Sequence, residues 1–205
     1  MSGTSPDDTL TPCLATGFDD PVMDGQATFR AAMWALSRPG RIEPVTPSLT
    51  PPAPLSPEAA ALVLALCDYE TPLWLDPALA LVPDVAAFLR FHTGAPIVGD
   101  AREARFALIA EPVEMPDFSD FAQGTPDFPD ASATLIVQVQ GFGGGLVLEG
   151  PGIKGRTAFG AAPLPADFIA RMAANRALFP LGVDLLLAGA GGVAGLPRSV
   201  TVKEG

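Results

Sequence analysis

Residues 56–75 read Ser56-Pro57-Glu58-Ala59-Ala60-Ala61-Leu62-Val63-Leu64-Ala65-Leu66-Cys67-Asp68-Tyr69-Glu70-Thr71-Pro72-Leu73-Trp74-Leu75. The stretch opens as a helix start. A hydroxyl is placed to accept from free amides, a proline stands at the first helical position, and an acid lies near the positive end. From Ala59 to Cys67 the run is apolar nearly all round, which predicts a buried helix rather than a one-faced surface helix. Asp68-Tyr69-Glu70 breaks the run, and Thr71–Leu75 predicts a short strand. A buried helix feeding a strand is the alternation from which α/β domains are built.

The alternation continues outward. Towards the C-terminus, Pro83 opens a helix through Val85, Phe88 and Leu89 towards Phe91. Arg105–Ala110, Ala133–Gln140, Gly145–Glu149 and Val183–Ala188 predict strands, the second and third as a close pair around a Gly141–Gly145 turn. Pro165 opens a further helix holding Phe168, Ile169 and Met172. Towards the N-terminus, six prolines between Pro44 and Pro57 make a stiff connection. Before it, Asp24 is the expected cap of a helix with Phe29, Met33 and Leu36 at helical spacing, ended by Ser37-Arg38-Pro39-Gly40. Residues 1–17 lack periodicity and predict a flexible tail. The expectation is one α/β domain over residues 18–205, a three-layer α/β/α arrangement around a mixed sheet, with no internal repeat.

Composition narrows the function classes. Of 205 residues, 48% are hydrophobic and 17% charged, so the chain can bury a sizeable core. A net charge of −11 with twelve Lys and Arg argues against nucleic acid and against an anionic membrane surface as partners. The first basic residue is Arg30, and the longest apolar run falls far short of the roughly 20 residues that span a bilayer. A cytoplasmic protein is expected. Cys13 and Cys67 form no CxxC pair, which leaves no disulfide framework and no zinc site.

The motifs that resemble chemistry are weak. Gly150-Pro151-Gly152-Ile153-Lys154-Gly155 fits GxGxxG, but Pro163 follows too soon for the helix whose N-terminus would hold a pyrophosphate. Gly189–Ala194 fits GxGxxA and is also expected to be a turn. The two lysines, Lys154 and Lys203, lie in a glycine-rich turn and near the C-terminus, neither of which promises the buried Schiff base of a pyridoxal-phosphate enzyme. No cofactor and no metal are expected. His92 is the single histidine; it suits acid–base or interface work, and equally a helix end ahead of Gly94. Asp68 in its loop suits a cation or a sugar hydroxyl, or simply water. Acids between Glu111 and Asp130 alternate with Phe118, Phe121 and Phe128 without a calcium-loop spacing. Arg156 and Arg198 suit bidentate contact with phosphonate or phosphate oxygens, or a surface salt bridge.

These segments also carry a family resemblance. Leu36-Ser37-Arg38-Pro39-Gly40, Leu64–Asp68 with Thr71–Leu75, and Arg90-Phe91-His92-Thr93-Gly94-Ala95-Pro96 fall in order along the chain. Ala133–Val139, Leu148-Glu149-Gly150-Pro151-Gly152-Ile153, Phe179–Leu185 and Leu196-Pro197-Arg198 complete the series. Together they resemble the PhnH family of bacterial phosphonate degradation, the carbon–phosphorus lyase pathway. The resemblance implies a fold related to pyridoxal-phosphate-dependent transferases without the cofactor, and a subunit that dimerises alone and assembles with the G, I and J subunits. The step it implies joins an alkylphosphonate such as methylphosphonate to the ribose triphosphate of ATP, with the catalytic centre on a partner. Asp68, Thr71, His92, Thr93 and Arg198 are the ligand or interface candidates within the matched motifs. Arg198→Ala and His92→Ala are expected to weaken assembly or ligand contact more than folding. The alternative is a stand-alone enzyme in which Asp68, His92 and Arg198 converge on a phosphonate or nucleotide.

Overall fold

The computed structural model describes residues 15–205; Cys13 and most of the expected tail lie outside the described residues. The helices are α1 (Pro21–Ser37), α2 (Pro57–Leu66), α3 (Pro77–Ala80), α4 (Pro83–Thr93) and α5 (Phe168–Ala177). Among the described residues, four of these five α-helices begin on proline at the first helical position. Asp20, not Asp24, caps α1: its carboxylate accepts from the Val22 and Met23 amides, because Pro21 starts the helix a turn earlier than the apolar pattern implies. Ser56 caps α2 as expected, accepting from the Ala59 amide at 3.3 Å.

The strands are β1 (Ile42–Pro44), β2 (Leu73–Leu75), β3 (Ile97–Val98), β4 (Phe106–Ile109), β5 (Thr134–Gln138), β6 (Gly141–Glu149), β7 (Thr157–Ala162), β8 (Asp184–Gly189), β9 (Gly192–Leu196) and β10 (Thr201–Glu204). A seven-stranded mixed sheet has the order β1-β9-β8-β5-β4-β2-β3. From β8 to β3 the pairings are parallel, while β9 pairs antiparallel with β8 and with β1. A separate three-stranded antiparallel sheet has the order β10-β6-β7. The expected pairing of 133–140 with 145–149 is therefore corrected. The glycines 141–145 do not turn the chain between two paired strands; they lie inside β6, which leaves the large sheet for the small one. Glycine is required opposite them, at Gly160 of β7, because a Cβ at that position would run into the Gly144 carbonyl oxygen.

Side chains alternate across the large sheet and divide the core. Leu108, Ile136, Leu186 and Val193 point to the face covered by α1, α2 and α4. Ile109, Leu135, Leu185 and Leu196 point to the opposite face, where Leu148 and Phe159 of the small sheet and Phe168 and Met172 of α5 cover them. The mixed α/β sheet agrees with the sequence reading. The far layer differs in being one helix together with a small sheet, since β7 and β10 are too poor in large apolar residues to announce themselves. No helix among the described residues is long and apolar enough to cross a membrane.

Close backbone approach fixes α1 on the sheet. A Cβ on Gly195 of β9 would fall 2.5 Å from the Ala35 carbonyl carbon of α1. Backbone cannot swing aside as a side chain can. Gly195→Ala is therefore expected to lower stability by about 1–3 kcal/mol through overpacking, read as a lower urea midpoint at unchanged slope.

Candidate subunit-docking face

Helix α1 carries more apolar surface than its packing uses. Thr28, Ala31, Ala32 and Ala35, at spacings of three and four, form the buried face. Small residues on that face let the helix approach β9 closely. Phe29 and Met33, expected from periodicity to face the core with Leu36, are 49% and 53% exposed, and only Leu36 packs partly against the core. The apolar pattern misled because the alanine stripe was the real core face. The second stripe, Val22, Phe29, Arg30 and Met33, forms one wall of a groove of about 870 Å³, with Leu64 and Ala65 of α2 on the other side. At its far end the Arg38 guanidinium lies 3.7 Å over the half-exposed Trp34 ring.

His92 stands near the other end of this groove. A smaller cavity of about 290 Å³ is lined by Gly17, Phe18 and His92, and shares Pro21 and Leu64 with the groove. The imidazole is held between Phe88 and Phe91, ring centroids 4.6 and 5.0 Å away, and its Nε2–H donates to the Ala15 carbonyl at 3.0 Å. A Cβ on Gly17 would sit 2.7 Å from Nδ1, so the segment entering α1 is packed onto the ring. The last residues of the expected tail, 15–17, are thus part of the packed structure, and His92 anchors them.

The other candidates make local bonds. Asp68 accepts from the Thr71 hydroxyl at 2.7 Å and the Glu70 amide at 2.9 Å, which together hold its carboxyl below the usual carboxylate range. Thr93 donates to the Leu89 carbonyl and accepts from the Ala95 amide, closing α4 at Gly94, whose φ of 72° is left-handed. Tyr69 packs on Gly94, so the 68–71 loop and the end of α4 are neighbours. Burial pushes the Cys67 thiol up to about 12, with Asp68 adding to the effect, so this thiol is a packing group.

Arg198 is elsewhere and is fully engaged. Its guanidinium donates to both Asp184 carboxylate oxygens, to the Pro129 and Pro180 carbonyls and to the Ser132 hydroxyl. Asp184 in turn accepts from the Arg198 amide. This cluster locks the start of β8 to the loops before β5 and β8. It does not meet Asp68 or His92, and no guanidinium donor remains to reach a ligand. Arg156 pairs with Glu149 at 2.6 Å, and Lys203 with the same carboxylate at 2.9 Å.

Both glycine motifs are turns. Gly150–Gly155 connects β6 to β7, and a Cβ on Gly152, at φ 79°, would strike the Ser37 carbonyl 2.3 Å away. Gly189–Gly192 connects β8 to β9, held by Glu58, which accepts from the Gly191 amide.

Comparison with known proteins agrees with the order of these segments. The model of the family described as bacterial phosphonate metabolism protein (PhnH) matches residues 16–203. Alpha-D-ribose 1-methylphosphonate 5-triphosphate synthase subunit PhnH of Rhizobium meliloti (strain 1021) is 41% identical over 189 residues, covering 91% of this chain and 94% of its own. The putative C-P lyase subunit protein HtxG of Stutzerimonas stutzeri is 29% identical over 185 residues, covering 87% and 85%. A match that runs from the segment packed on His92 to the last strand covers every element described above, and the chain belongs to the bacterial PhnH family of phosphonate metabolism proteins.

Proposed function

We propose that this protein is a subunit of a carbon–phosphorus lyase core complex, required for transfer of ribose triphosphate from ATP to an alkylphosphonate, and that it contributes assembly rather than the catalytic centre. The observation that carries the reading is the groove along α1. A contiguous apolar strip with Val22, Phe29, Met33 and Trp34 between 42% and 64% exposed marks an interaction surface rather than a finished exterior. The names of the two relatives, a synthase subunit and a lyase subunit, support the same role.

The partners in this reading are the G, I and J subunits in the cytoplasm, and the free chain is a homodimer. The ancestral fold is that of pyridoxal-phosphate-dependent transferases. Lys154 in an exposed turn and Lys203 paired with Glu149 at the surface are poor positions for a Schiff base, which supports a cofactor-free descendant. A stand-alone enzyme would need Asp68, His92 and Arg198 to face one cavity, and the hydrogen bonds of these side chains are made in separate places.

Mass by light scattering tests the assembly role. The chain alone is expected at the mass of a dimer, and mixed with the G, I and J subunits it is expected to enter one stoichiometric complex. Well-folded partners that leave its mass unchanged would sink the subunit reading. Turnover of ATP and methylphosphonate by the chain alone would replace it with the enzyme.

A further inference from the structure

We propose that the α1 groove seats an amphipathic helix of a partner subunit, and that the apolar ridge of this helix carries a carboxylate that pairs with Arg30. The inference rests on the docking reading above and specifies its chemistry.

The groove's lining calls for a mostly apolar partner with one anion. Val22, Phe29, Met33, Trp34, Leu64 and Ala65 are apolar, and among the described residues Arg30 is the one charged side chain lining the groove. Among the described residues no acid lines it, although the chain as a whole carries a net charge of −11. The Arg30 side chain is exposed and makes no ion pair or hydrogen bond among the described residues. An apolar partner laid over it strips water from a guanidinium. That cost is met only if the partner brings an anion to the same place. Arg38, held over Trp34 at the end of the groove, adds positive potential along the same wall.

The groove's shape calls for a helix. The wall stripe runs at helical spacing along a 17-residue helix, about 25 Å at 1.5 Å per residue, and its neighbour across the groove is another helix. A trench between two helices accepts the side-chain ridge of a third, with anchors at i, i+3, i+4 and i+7. An extended peptide would need free backbone groups to pair with, and the backbone along α1 is bonded within its own helix.

The occupant is not a second copy. A two-fold contact would set trench against trench and leave both unfilled, with Arg30 facing a wall that has no carboxylate among the described residues. The homodimer therefore uses another surface.

The test measures association of the full-length chain with the G, I and J subunits by titration, alongside the mass of the chain alone. Arg30→Gln is expected to weaken the complex about 10-fold and Arg30→Glu about 100-fold. Wild-type affinity is expected to fall with added salt more steeply than that of Arg30→Gln. A photo-cross-linking residue at Met33 is expected to attach to a helical segment of a partner that bears Asp or Glu. If Met33→Glu abolishes the complex while Arg30→Glu binds as wild type, the carboxylate pairing is wrong and the docking face stands. If both bind as wild type, the docking face itself falls. A Met33→Glu chain that loses its own dimer would show a second copy to be the occupant and overturn the proposal. Arg30 and Met33 are exposed, so unchanged thermal midpoints are expected for these variants and serve as the folding control.

Discussion

Arg198→Ala is expected to lower stability by about 3–5 kcal/mol, the cost of removing one partner from a largely buried ion pair. The Arg198 and Asp184 side chains are 13% and 22% exposed, and their shortest contact is 2.6 Å. Truncation leaves the Asp184 carboxylate with the Arg198 amide as its one hydrogen-bond donor among the described residues, at 2.8 Å. The Pro129 and Pro180 carbonyls and the Ser132 hydroxyl each lose a donor as well. Those groups lie in the loops that lead into β5 and β8, two adjacent parallel strands of the large sheet. For a chain of this size each kcal/mol moves the thermal midpoint by roughly 2–4 °C, so a fall of roughly 6–20 °C is expected. Arg198→Lys keeps the charge but not the planar fork, and is expected to recover only part of the loss. Urea denaturation of both variants and of Asp184→Asn checks the pair. A loss below about 1 kcal/mol for Arg198→Ala would mean that the cluster is decoration. This expectation reverses the one drawn from sequence, in which Arg198 was a ligand or interface cation whose loss weakens assembly or ligand contact more than folding. Protein that still folds is expected to enter the complex.

The reversal shows which information a sequence holds. Local signals were sound wherever one residue settles its own environment. Ser56-Pro57-Glu58 begins α2 and caps it, the run behind it is buried from Ala59 to Val63, and Gly94 ends α4 in a left-handed turn. Strands β2, β4, β5 and β8 of the large sheet followed from apolar runs of strand length. Non-local signals were missed. Nothing around Arg198 announces that Asp184, Pro129 and Ser132 surround it, since the loops that carry them are brought together only by sheet pairing. Val193 and Leu196 of β9 lie among glycine and alanine, so a fully buried strand looked like a turn. Along α1 the difficulty was one of competing stripes. Two faces of the helix are apolar, one small and one large, and the large one was read as the core. A tight helix–sheet contact selects the small one, because Gly195 and Ala35 bring backbone against backbone. The remaining large residues were left at the surface, and that displacement made the candidate site visible.

Met33→Glu is expected to reduce complex formation by at least about 100-fold while leaving the free chain folded. Met33 is 53% exposed and lies midway along the groove wall, between Phe29 and Ser37 on the same stripe of α1. Burying the exposed half of Met33 contributes about 0.8–1.5 kcal/mol to association, and all of this is lost on substitution. The introduced carboxylate weakens binding further, because a docking apolar ridge would have to desolvate it without a partner. Arg30, three residues away on the same wall, offers the new acid a neighbour. Pairing between the introduced glutamate and Arg30 would then also remove the cation that the partner's carboxylate needs. Both routes weaken binding, and neither disturbs the face of Thr28, Ala31, Ala32 and Ala35 that fixes α1 to the sheet. Met33→Leu keeps the apolar wall and is expected to bind within a few-fold of wild type, which separates loss of surface from introduction of charge. Titration of each variant against the assembled partner subunits, with the thermal midpoint as control, reads the effect. A Met33→Glu chain that enters the complex with unchanged affinity and an unchanged midpoint would show that this apolar strip faces water in the assembly, and the contact surface would then have to be sought away from α1.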